Sequence, residues 1–98
     1  MSRNIQRLAE IDRIIHEPAR LMIVDLLAAV EEADFQYLRL ATGLTQGNLS
    51  THLSKLAEAE YVDLEKTFRV KYPLTICRLT TLGKEVLDKY RKVMRAAL

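Results

Sequence analysis

The stretch Tyr37-Leu38-Arg39-Leu40-Ala41-Thr42-Gly43-Leu44-Thr45-Gln46-Gly47-Asn48-Leu49-Ser50-Thr51-His52-Leu53-Ser54-Lys55-Leu56 constrains this 98-residue chain more than any other part. It reads as a short helix, a tight turn and a longer helix. Gly43 stands where the first helix has to end in a left-handed conformation, which glycine reaches without a Cβ clash. Thr45 can cap the second helix by accepting a bond from an orphan backbone N–H. Leu49, Leu53 and Leu56, spaced four and three apart, give that helix one apolar stripe. Two short helices cannot bury such a stripe alone, so the rest of the chain has to supply a core.

Apolar periodicity elsewhere predicts what that core contains. Residues from about 3 to 15 read as a helix with Ile5, Leu8, Ile11 and Ile15 on one side and Arg3, Arg7, Glu10 and Arg13 elsewhere. His16-Glu17-Pro18 breaks it, and Pro18 suits the first turn of a new helix running to about Val30. Leu21, Ile23, Val24, Leu26, Leu27 and Val30 make this second helix apolar on nearly every side, the expected central helix. Glu31 and Glu32 oppose its negative end and mark its stop. Asp34 is a candidate cap for a helix over 35–42, and the next helix runs from Gln46 to about Glu60. Glu31, Glu32 and Asp34 read as an acidic loop between helices. Tyr61 to Phe68 alternates as a strand does, Arg69 to Pro73 reads as a turn or short loop, and Leu74 to Leu79 returns. Thr80 caps a last helix from Thr81 to about Ala97. The order is helix, helix, helix, helix, hairpin, helix: mainly α with a small β-hairpin wing, a winged helix-turn-helix in a single domain over residues 1–98.

Net charge is +2, but its distribution is uneven. Residues 1–65 hold 6 basic and 11 acidic side chains, a net of −5, and residues 66–98 hold 9 basic and 2 acidic, a net of +7. Between Lys66 and Arg78 there are four basic residues and no acid. A basic segment following a helix pair of this kind suits contact with phosphate. Opposite its leucines, the second helix of the pair exposes Gly47, Asn48, Thr51, Ser54 and Lys55, a small polar face able to enter a DNA groove.

Three segments carry a resemblance to a known family. They are His16-Glu17-Pro18-Ala19-Arg20-Leu21-Met22-Ile23-Val24-Asp25-Leu26-Leu27, the helix pair from Gly43 to Leu56 with Ala59-Glu60-Tyr61-Val62, and Arg78-Leu79-Thr80-Thr81-Leu82-Gly83-Lys84-Glu85. With these the chain resembles the winged helix-turn-helix transcriptional regulators of the MarR and ArsR type, most of all their short stand-alone members. It departs from the pattern at Arg39, where a small residue is common, and at Glu60, which replaces a frequent glycine. The resemblance places base-reading groups in the first turns of the recognition helix. The candidates there are Thr45, Gln46, Gly47, Asn48, Ser50, Thr51, His52, Ser54 and Lys55. Gln46 and Asn48 could bond adenine, Gly47 would allow close backbone approach, and His52 borders both the buried stripe and the DNA side. In the wing, Lys66, Arg69 and Lys71 are the candidates for phosphate or the minor groove.

The terminal helices carry more apolar surface than one small domain needs. Ile5, Leu8, Ile11 and Ile15 on the first, with Val86, Leu87, Tyr90, Val93 and Met94 on the last, are expected to join two copies about a two-fold axis. The expectation is a homodimeric, cytoplasmic regulator of transcription, acting as a repressor on double-stranded DNA at a pseudo-palindromic operator, with a small apolar effector possible. The alternative is a winged helix used for protein–protein interaction or for nonspecific, chromatin-type DNA binding. No metal or cofactor is expected: Cys77, His16 and His52 form no recognisable ligand set. Cys77, the only cysteine, reads as a buried thiol. No glycine-rich phosphate loop or nucleophile–base spacing points to an enzyme. No apolar run is long enough to span a membrane.

Overall fold

A computed structural model describes residues 5–98. Residues 1–4, with Arg3 of the expected first helix, lie outside the described residues. The chain runs through helix α1 (Pro18–Val30), strand β1 (Glu32–Asp34), helices α2 (Phe35–Thr42) and α3 (Gln46–Glu58), strands β2 (Val62–Arg69) and β3 (Tyr72–Leu79), and helix α4 (Thr81–Ala97). The sheet is antiparallel in the order β1-β3-β2.

Side-chain caps set the helix starts. Glu17 accepts from the N–H groups of Ala19 and Arg20 before α1, Asp34 from Tyr37 before α2, Thr45 from Asn48 before α3 and Thr80 from Gly83 before α4. Gly43 closes α2 at φ 73°, in the left-handed region expected of it. Ile23, Val24 and Leu27 of α1 meet Leu38 of α2, Leu49, Leu53 and Leu56 of α3, and Val62, Cys77 and Leu79 of the sheet in one core. Cys77 is fully buried, and burial, with the Asp34 charge, pushes its thiol up to about 11.

Four expectations are corrected. The N-terminal segment is a single 3-10 stretch, Ile5–Glu10, followed by a turn. The Asp12 carboxylate accepts the N–H groups of Ile14 and Ile15 and so folds the chain back where a helix would have continued. Residues 32–34, read as an acidic loop, are a strand: Ala33 pairs with Cys77, and its side chain is buried in the core. The hairpin connection is two residues, Val70-Lys71, because Arg69 still pairs with Tyr72. Finally, α1 buries one side only, through Ala19, Ile23, Val24 and Leu27, and leaves Met22 and Val30 exposed.

A short junction locks α3 and β2 to α4. The Tyr61 N–H donates to the Leu56 carbonyl, and the Tyr61 carbonyl accepts from the Thr80 N–H, at 3.0 Å each. The Thr80 hydroxyl donates to the Glu60 carbonyl at 2.7 Å and accepts from the Gly83 N–H at 2.9 Å. This packing requires glycine at 83: an added Cβ would lie 2.2 Å from the Tyr61 carbonyl oxygen and 2.7 Å from Leu79 Cδ1. Glu60 adopts φ 65°. Two opposite outcomes are expected by thermal denaturation. Gly83→Ala should destabilise by about 2 kcal/mol or more, because backbone has to move. Glu60→Gly should stabilise by about 1 kcal/mol by relieving a left-handed non-glycine, raising Tm by roughly 4–8 °C.

Candidate nucleic-acid interface

The anchored leucines decide what α3 shows to solvent. With Leu49, Leu53 and Leu56 buried, Gln46, Gly47, Asn48, Ser50, Thr51, Ser54 and Lys55 all stand exposed. The exposed residues include every expected recognition-helix residue except His52, counting the cap, Thr45. Thr45 Oγ1 accepts the Asn48 N–H at 3.1 Å. The N–H groups of Gln46 and Gly47 lie in the first turn, where a helix offers no acceptor of its own. The positive end of the helix dipole therefore coincides with the polar face.

Gly47 is not needed by the fold. It has no positive φ, and an added Cβ would meet nothing within 4 Å. A glycine inside a helix costs about 0.5–1 kcal/mol relative to alanine.

His52 points elsewhere. Its Nδ1 is 3.2 Å from Arg20 Nη1 and 3.5 Å from Glu17 Oε2. Arg20 also donates through Nε to the Ile14 carbonyl. The three side chains tie α3 to the start of α1. Burial raises the Glu17 pKa, but the N–H groups of Ala19 and Arg20 and the charges of His52 and Arg20 outweigh it and hold the carboxyl below its usual range. Glu17's stabilising contribution is thus present at neutral pH and lost as pH falls through its lowered pKa. Sequence reasoning missed this tether. The only signal was Glu17 immediately before Pro18, a helix-start pattern. The other histidine, His16, has Nδ1 2.8 Å from the Tyr90 hydroxyl.

In the wing, Lys66, Arg69 and Lys71 are exposed, and among the described residues none of them enters an ion pair. Lys66 shares one sheet face with Phe68, and Arg69 lies on the other with Tyr72. Arg78 belongs to a different environment. It bonds Glu32 and Glu65 at 2.7 Å each across three strands, so its charge is satisfied within the sheet. The basic character of residues 66–78 is therefore concentrated at the wing's far end.

The candidate dimer residues divide. Ile15, Leu87, Tyr90 and Val93 are buried within the chain itself, the first three as part of the main core. These four, expected at an interface, lie inside a single copy. Ile5 and Leu8 are exposed, and Ile11, Val86 and Met94 are half-buried.

Among the described residues, no group of His, Cys, Asp and Glu is arranged to hold a metal ion, and no helix is long and apolar enough to cross a membrane.

A three-helix core, a helix pair presenting a polar second helix, and a basic hairpin define a winged-helix nucleic-acid-binding domain. Comparison with known proteins agrees: residues 19–98 match the family described as winged helix DNA-binding domain, and the chain belongs to it. An uncharacterized protein of Methanocaldococcus jannaschii is 33% identical over 78 residues, 80% of this chain and 85% of the relative. The solved structure of a transcriptional regulator homologue from Pyrococcus horikoshii superposes with a TM-score of 0.87 at 28% identity, covering 93% of this chain and 92% of that one. The fold and family are those of DNA-binding regulators of transcription, consistent with the MarR/ArsR type, and not those of enzymes.

Gly47→Ala separates fold from function. The variant should gain about 0.5–1 kcal/mol of stability in chemical denaturation and lose affinity for DNA in a fluorescence anisotropy titration. Unchanged affinity would remove Gly47 from the contact surface.

Proposed function

We propose that the protein is a sequence-specific transcriptional repressor that binds a pseudo-palindromic operator as a homodimer. The observation that carries this reading is the exposed, capped N-terminal face of α3, with its unhindered Gly47. Asn48 and Thr51 read base edges from there, joined by Gln46, Ser50, Ser54 and Lys55. Lys66, Arg69 and Lys71 supply phosphate affinity, which positions the domain but carries no sequence information. His52 acts through the α1 tether and sets the pose of α3.

Dimerisation uses exposed Ile5 and Leu8 with the uncovered parts of half-buried Ile11, Val86 and Met94, extended by exposed Leu98. Two copies joined there would address half-sites one helical turn apart, roughly 34 Å. A small apolar effector would fit the groove of about 480 Å³ between α1 and α4, lined by Pro18, Leu21, Met22 and Tyr90 among others.

Selection from a random duplex pool, followed by salt titration of the best fragment, tests the proposal. An enriched inverted repeat is expected. Asn48→Ala with Thr51→Ala should weaken operator binding by about 1–3 kcal/mol while leaving random DNA binding nearly unchanged. Arg69→Ala with Lys71→Ala should weaken both and flatten the salt dependence, by about one unit of log–log slope per cation. Binding without any enriched sequence would overturn the specific-repressor reading in favour of a nonspecific DNA binder.

A further inference from the structure

The wing tip carries apolar surface that a phosphate clamp does not need. Phe68, Val70 and Tyr72 are 74%, 89% and 73% exposed. They alternate with Arg69 and Lys71, so the tip reads Phe68-Arg69-Val70-Lys71-Tyr72. Val70 is the first of the two turn residues and stands at φ 58°, whereas Lys71 has no positive φ. A positive φ at that first position alone is the mark of a turn that favours glycine there. A β-branched residue in the left-handed region is strained. Val70 also lies almost wholly in water, so core packing does not repay the strain. Neither stability nor solubility accounts for valine at this position.

Charge identifies the occupant. No acid lies between Lys66 and Arg78 in the sequence, and the cations beside Val70 form no ion pair among the described residues. An apolar tip framed by unpaired cations matches a surface that is anionic along its edges and apolar between them. The DNA minor groove is such a surface, and apolar side chains wedge into its base steps in other proteins.

We propose that the wing tip is a minor-groove wedge. Val70 presses its side chain against a base step, Arg69 and Lys71 hold the flanking phosphates, and the rings of Phe68 and Tyr72 cover sugar on either side of the tip. The wedge rests on the DNA-binding reading above, and it adds a contact that is insensitive to salt and distorts the duplex.

The decisive variant is Val70→Gly in the full chain, because glycine relieves the strained turn while removing the wedge. It should melt at a higher temperature than the wild type, yet bind the selected operator about tenfold more weakly, the scale of one lost apolar side-chain burial. Its salt slope should match the wild type, whereas Arg69→Ala lowers that slope by about one. Val70→Asn, which tolerates the left-handed region but is polar, should show the same loss of affinity. With 2-aminopurine placed across the operator, wild-type binding should raise fluorescence at one step, and Val70→Gly should abolish that rise. Undiminished operator affinity in both variants, or no 2-aminopurine response to the wild type, overturns the wedge and leaves the DNA-binding reading standing. Self-association lost in Val70→Gly with DNA affinity intact assigns the tip to a second copy and likewise overturns it. Failure of the wild type to bind any duplex overturns both.

Discussion

Everything the domain presents to a partner depends on how α3 is seated. Its three leucines are sealed into the core, each worth about 1.5–3 kcal/mol in burial. That fixes rotation of the helix about its own axis. Position along the axis is fixed at both ends: Thr45 caps the start, and beyond the end the Glu60–Tyr61 segment is stitched to Thr80 and Gly83. The closeness of Gly83 to the Tyr61 carbonyl makes this junction intolerant of change. The same segment begins β2, so the wing inherits its direction from the junction that holds α3. Helix α3 and the wing therefore keep a set relation to each other.

Much of this was legible in the sequence because it rests on local rules. Gly43, Asp34, Thr45 and Thr80 occupy the capping positions their side chains favour, and the α3 leucines are buried as their spacing requires. What was not legible depends on partners distant in sequence. Residues 32–34 become a strand only because β3 offers its edge, and two acids in three residues gave no strand signal. The apolar spacing of the N-terminal segment suited a helix, but one carboxylate, Asp12, captured two backbone N–H groups and turned the chain. That turn lays the segment near α4, whose Leu87, Tyr90 and Val93, the surplus that had suggested a partner, are buried within one copy. Apolar surface on two terminal helices looks the same in sequence whether it covers a second copy or the first.

Charge shows the same division between composition and geometry. The seven-unit excess of positive charge after residue 65 is real, but its members do different work. Arg78 spans Glu32 and Glu65 and steadies the three-stranded sheet, and Arg91 pairs with Asp25 to join α4 to α1. With these set aside, Lys66, Arg69 and Lys71 remain at the wing, and Lys84, Lys89, Lys92 and Arg95 along α4. Exposed pairs such as those of Arg78 contribute little individually, so their effect lies in keeping charge off the sheet face. Within the hairpin itself, the cations left without an ion pair among the described residues are Lys66, Arg69 and Lys71 at the wing.

Sequences that fold well agree with their local rules, and violations concentrate where function overrides stability. Here the violations are unevenly spread. Glu31 and Glu60 take positive φ at points where a helix has ended and the chain enters a strand, where the backbone has to reverse and tertiary contacts hold it. Gly47 weakens a helix that alanine would strengthen, and Val70 strains a turn that glycine would relax. Neither of these two is held in place by neighbours, so the packing of the domain explains neither. One lies on the polar face of α3 and the other at the end of the basic wing, the two surfaces that a winged helix offers to DNA. Two independent departures from local stability thus fall on the two elements that the proposed reading assigns to DNA.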